Sequence, residues 1–155
     1  MKSALNKSEE FENYYQMLGN SKGKLFETMK DVFMLALVIG YLKDSKRPFS
    51  RTGGEPIKLT IFDDYDKNIM DIIALDKKKD TSILINEEQA VDEKYRIMEE
   101  YANGGMEILV NSFCKPIPSI EKLKEFVESY ENNFSVNKKL DIAEMLANAI
   151  NELDE

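Results

Sequence analysis

Phe26-Glu27-Thr28-Met29-Lys30-Asp31-Val32-Phe33-Met34-Leu35-Ala36-Leu37-Val38-Ile39-Gly40-Tyr41-Leu42 is the stretch on which the fold turns. Almost no polar face remains after Asp31, and a helix that is apolar nearly all round is buried on most sides. The stretch therefore predicts a central helix rather than a surface one. Its longest apolar run, Val32 to Ile39, is far too short to span a bilayer. Gly40 near its end reads as a C-terminal cap or as a close-packing contact. Lys43 to Pro48 forms a polar exit, and Pro48 stops any continuation of the helix.

Upstream, Ser8 is placed as an N-cap, with Glu9, Glu10 and Glu12 suited to the dipole of a first helix. Phe11, Tyr14, Tyr15 and Leu18 give that helix an apolar stripe, and Gly19-Asn20-Ser21-Lys22-Gly23 ends it. Downstream, Arg51-Thr52-Gly53-Gly54-Glu55-Pro56 reads as a loop. Ile57-Lys58-Leu59-Thr60-Ile61-Phe62 then alternates and is rich in β-branched residues, which predicts a strand. A strand needs a mate for its backbone groups. The segment around Phe49, the run Ser82-Ile83-Leu84-Ile85 and the same strand of a second subunit are the alternatives.

Asp63, Asp64 and Asp66 open a third helix that closes on Lys77-Lys78-Lys79, cations at the end where the dipole favours them. A fourth helix starts near Asn86, reaches Gly104-Gly105 and resumes through Met106, Ile108, Leu109 and Phe113. After the linker Lys115-Pro116-Ile117-Pro118, Ser119 opens a fifth helix that Asn132-Asn133 breaks. A sixth comes next with Leu140, Ile142, Ala143, Leu146, Ala149, Ile150 and Leu153. The fold class is mainly α: one helical domain of about six helices with a small β element near residues 57–62. Residues 1–24 form an N-terminal helical arm, loosely attached through its flexible loop. Residues 25–115 form the core, and residues 116–155 a C-terminal helical hairpin packed on it.

Composition narrows the chemistry. The chain of 155 residues has no His, no Trp, eight Met and one Cys, Cys114. Without His it lacks the usual neutral-pH proton shuttle and the commonest zinc ligand. A lone Cys forms no internal disulfide, and the start of the sequence has no apolar signal core, so a cytoplasmic location is expected. Net charge is −8, but residues 1–56 carry nine Lys/Arg and seven Asp/Glu, while residues 57–155 carry twelve and twenty-two. A nucleic-acid backbone could face the first third; the acidic remainder would repel it.

Four constellations bear on function. Asp63-Asp64-Tyr65-Asp66 is the densest carboxylate group, and helix capping accounts for it better than a divalent cation does. A metal-dependent nuclease using Asp63, Asp64 and Asp66 with Glu99 lacks any basic or His partner. Lys43, Lys46, Arg47 and Arg51, with Phe49 between them, form a compact basic patch that could contact phosphates and a base. Glu99-Glu100-Tyr101-Ala102-Asn103-Gly104-Gly105 is the most unusual stretch, because paired glycines in a helical pattern cost roughly 1 kcal/mol each against Ala. A kink, a left-handed turn or a backbone packed directly on the glycines would offset that. The plain reading is a helix break near Asn103. The sharper one makes Tyr101, Asn103, Gly104 and Gly105 a surface on which a partner segment docks. Cys114 reads as a structural thiol and the methionines as core. No catalytic group and no cofactor are expected.

Taken in order, Phe26 to Tyr41, Arg47-Pro48-Phe49, Glu55-Pro56-Ile57, Asp71-Ile72-Ile73-Ala74-Leu75 and Glu99 to Leu109 resemble a small bacterial family associated with the Dnd DNA phosphorothioation system. The resemblance covers residues 25–110, leaving the tail from Pro116 outside it. It implies a setting of phage defence and restriction rather than a reaction, and it carries no catalytic residues. The implied role is an accessory or regulatory subunit acting by protein–protein contacts, with direct DNA binding as the alternative. Other protein components of the defence system are the expected partners. DNA and a second copy of the chain are further candidates, and a membrane is not expected.

Overall fold

The computed structural model describes residues 1–133. Its centre is the predicted apolar helix, α2 (Met29–Leu42). Thr28 starts it with a reciprocal cap: the Thr28 hydroxyl accepts from the Asp31 N–H, and the Asp31 carboxylate accepts from the Thr28 N–H. Val32, Phe33, Ala36 and Leu37 are then fully buried. The long helix α4 (Glu88–Leu109) crosses α2 in the most extensive helix contact among the described residues. Met98, Met106 and Leu109 of α4 are fully buried there, so these methionines do pack as core. Helix α1 (Glu12–Gly19) lies against α2, and α3 (Asp64–Lys78) lies against α4.

The β element is smaller than its sequence pattern predicts. Two short strands, β1 (Ala4–Leu5) and β2 (Ile57–Lys58), pair antiparallel with Ala4 opposite Lys58 and Leu5 opposite Ile57. The predicted strand through Phe62 stops at Lys58, and Leu59–Ile61 coils into a 3-10 turn. That turn drops Phe62 edge-on against Phe33, ring centroids 5.8 Å apart, and leaves Asp63 to cap α3. Burying Phe62 and capping a helix outweigh four more residues of ladder. Neither of the two mates expected within the chain is used. The mate is the N-terminal segment, and Thr81–Leu84 is itself a 3-10 turn.

Residues 1–24 are correspondingly not a loose arm. Leu5 and Leu18 are fully buried, and Tyr15 nearly so, in the same cluster as α2 and α4. Ser8 precedes a 3-10 turn (Glu9–Phe11) rather than α1, and its hydroxyl makes no capping bond. The fourth helix is also not broken at Gly104-Gly105 but runs through both. It widens into a π turn at Val110–Cys114 before α5 (Ile120–Asn133), where the Ser119 hydroxyl accepts from the Lys122 N–H at 3.3 Å. Phe126 of α5 packs on Phe113, centroids 6.1 Å apart. The expected sixth helix lies outside the described residues. Among them, no helix is long and apolar enough to cross a membrane.

Candidate interaction site

The segment Glu99–Gly105 occupies one stretch of α4, and six of its seven residues are buried. Its glycines answer the question their cost raises. A Cβ on Gly105 would stand 1.7 Å from the Ala36 carbonyl oxygen, and one on Gly104 would stand 1.8 Å from that of Ser45. From the opposite side, a Cβ on Gly40 would meet the Tyr101 carbonyl oxygen at 1.9 Å. The two helices therefore cross backbone against backbone, and Gly40 is a close-packing contact. The side-chain-free surface expected to receive a partner at Gly104 and Gly105 is filled by the chain's own α2 and Ser45.

The remaining residues of the segment hold the chain just beyond α2. Tyr101 donates to the Asp44 carboxylate at 3.2 Å, and Lys77 of α3 donates to the same oxygen at 2.9 Å. The Lys77 ammonium lies 5.3 Å from the Tyr41 ring centroid and 5.6 Å from that of Tyr101. Asp44 adopts a left-handed backbone (φ 50°), and the hydrogen bond and charge of Lys77 hold its carboxyl below the usual range. Tyr41 donates to Asp76 at 2.6 Å, and burial followed by that bond pushes its phenol well up. Asn103 donates its amide to the Arg47 carbonyl at 2.9 Å, and the Arg47 N–H donates to the Glu100 carbonyl at 3.0 Å.

Glu99 faces the N-terminal segment. Its carboxylate accepts from the Lys2 ammonium at 2.7 Å and from the Asn6 N–H. Burial raises its pKa, and Lys2 and Asn6 oppose that shift. Beside it, Lys7 is almost wholly buried, 2.9 Å from Glu12 and 5.4 Å from the Tyr15 ring centroid. Nothing in the pattern Met1-Lys2-Ser3-Ala4-Leu5-Asn6-Lys7 marks two of these residues as anchors. The lysines look like solvated charges until the fold closes round them.

The basic patch is neutralised at Lys46 and Arg47. Lys46 pairs with Glu100 at 3.4 Å. Arg47 pairs with Glu10 at 2.9 Å and Glu107 at 3.4 Å, with its guanidinium 5.4 Å from the Phe11 ring centroid. Lys43 and Arg51 are exposed, and Phe49 is half-buried. In the carboxylate group, Asp63 and Asp66 exchange cap bonds at 2.8 and 3.0 Å, and Lys30 sits 2.7 Å from Asp66. This is the helix cap, as expected. Burial lifts the Cys114 thiol to about 11. Beside the patch, Glu10, Phe11, Tyr14, Glu107, Val110 and Asn111 line an open cleft of about 360 Å³.

The chain matches the family described as DNA sulphur modification system-associated protein 4, over residues 5–145. It belongs to that family. For this Dnd-associated family member, the match is wider than residues 25–110: it begins in β1 and takes in α5, so the tail beyond Pro116 lies within it as far as residue 145. No curated protein and no solved structure matches the chain.

Proposed function

We propose that this Dnd-associated chain is a non-catalytic accessory or regulatory subunit of a bacterial DNA phosphorothioation-linked anti-phage defence system. In this reading it acts in the cytoplasm through contacts with the system's other proteins. The family match over residues 5–145 carries the reading. The fate of the polar side chains supports it: Lys2–Glu99, Lys7–Glu12, Lys30–Asp66, Tyr41–Asp76 and Lys94–Asp71 are all engaged in joining elements of the fold. The alternative, direct DNA binding through residues 43–51, draws less support from a loop whose Lys46 and Arg47 are already paired with carboxylates. Co-expression of the tagged full chain with the modification and restriction proteins of its own system tests the proposal. Retention of one of them in fixed stoichiometry through high-salt washing is the expected result. A chain that retains none of them overturns it.

A further inference from the structure

The tight fit at Gly104 does more than seat two helices. It fixes one end of a loop whose other end is fixed independently. At the first end the Arg47 N–H and carbonyl are held by Glu100 and Asn103, and Ser45 lies on Gly104. At the second end the Glu9 N–H donates to the Arg51 carbonyl at 2.9 Å, and the Gly53 N–H donates to that of Lys7 at 3.0 Å. Ser8 and Thr52 form an isolated bridge between those two bonds. Gly53 has no room for a side chain, since a Cβ there would stand 2.8 Å from the Glu9 Cα.

Pro48-Phe49-Ser50 span the gap between the anchors, and Arg51 closes it with its carbonyl held by Glu9. Pro48, Ser50 and Arg51 are exposed, and Phe49 is half-buried. Pro48 fixes its own φ and narrows the choices of Arg47 before it. Arg51 makes no ion pair or side-chain hydrogen bond among the described residues, in a chain where acids outnumber bases by 29 to 21. A short loop anchored at both ends loses little further freedom when it binds, which is how scaffolds display recognition loops.

We infer that Pro48–Arg51 is a preorganised recognition loop that seats Phe49 and Arg51 in a carboxylate-bearing, apolar-walled pocket of a protein partner. This rests on the accessory-subunit reading and deepens it by naming the surface. Arginine beside an aromatic is the composition of a protein hot spot. A nucleic-acid backbone is the poorer fit: Lys46 and Arg47, the cations that would join Arg51 along it, are engaged with Glu100, Glu10 and Glu107. The contact a single arginine makes with phosphates is weak at cellular salt.

Photo-crosslinking in cells carrying the whole system tests it, with a benzophenone amino acid at position 49 of the full chain and, separately, at position 65, where Tyr65 is exposed on α3. Position 49 is expected to capture a protein of the modification system at a peptide containing Asp or Glu. Arg51→Glu should lower that yield at least about tenfold, and changing the captured acid to Arg should restore it. Arg51→Glu alters an exposed side chain, and an unchanged melting curve shows that the fold is intact. Capture from position 65 and not from 49 overturns the loop assignment and leaves the accessory reading standing. Capture of DNA from position 49 overturns it in favour of nucleic-acid contact. Capture of no system component from either position removes both readings together.

Discussion

Gly105 and Ala36 touch backbone to backbone, so closely that a single added carbon on Gly105 would sit 1.7 Å from the Ala36 carbonyl oxygen. Ala36 lies in the middle of α2, whose own hydrogen bonds keep its carbonyl in place. Gly105→Ala must therefore part the two central helices, and the expected loss is about 3 kcal/mol, at the upper end of overpacking. Gly104→Ala meets the Ser45 carbonyl instead, beyond the end of α2, so it strains one anchor of the following loop rather than parting the two helices. Its cost should be distinctly smaller. Urea midpoints of the two variants check the order, and equal midpoints would contradict the crossing described.

Asn103 is buried and holds the Arg47 carbonyl. Asn103→Asp replaces that donor with an acceptor, setting a carboxylate against a carbonyl oxygen. Asn103→Ala merely removes the bond, at about 1–2 kcal/mol. The Asp variant is expected to be the less stable at pH 7 and to recover toward the Ala variant at low pH, where it regains a proton to donate. Chemical denaturation at the two pH values reads this directly.

The buried Lys7 pairs with the half-buried Glu12 and so links the N-terminal segment to α1. Lys7→Ala leaves the carboxylate with Gln16 as its remaining donor and is expected to cost about 1–2 kcal/mol. Combining Lys7→Met with Glu12→Gln removes both charges while keeping the volume, and should recover most of that loss. A double-mutant cycle in denaturant measures the coupling.

Glu99 sets a pH dependence of definite sign. Its folded pKa lies above the ordinary carboxylate value because of burial, so the folded state takes up a proton before the unfolded one does. Its contribution to stability therefore grows as pH falls from neutrality through the folded pKa and levels off below the unfolded one. Glu99→Gln removes that response. From pH 7 toward pH 5 wild type should gain on the variant, as measured by the difference in unfolding free energy. A wild type that instead loses ground to the variant over that range would count against the buried setting of Glu99.

Much of this was legible in the residues. The run from Val32 to Leu42 announced a buried helix, the Asp63 and Asp66 spacing announced a cap, and the conspicuous glycines at 104 and 105 announced a constraint. Which constraint it was could not be read. A helix break and a helix crossing both call for glycine, and the residue that decides, Ala36, lies far away in the sequence. The β mate was illegible for a related reason. Ala4-Leu5 is too short to show a period, and its pairing with Ile57-Lys58 becomes evident once Leu5 enters the core. Local patterns report local choices, whereas the links made by Lys2, Asp44 and Lys77 belong to the tertiary fold.

If this member of the Dnd-associated family works by holding other proteins of its system, the complex should form from purified parts. Light scattering on the full chain, mixed in turn with each purified modification and restriction protein, reads this without a label or a cell. One mixture is expected to give a single species with the summed mass, and Arg51→Glu is expected to split it into its parts. Mixtures that all separate into free components would contradict the proposed role.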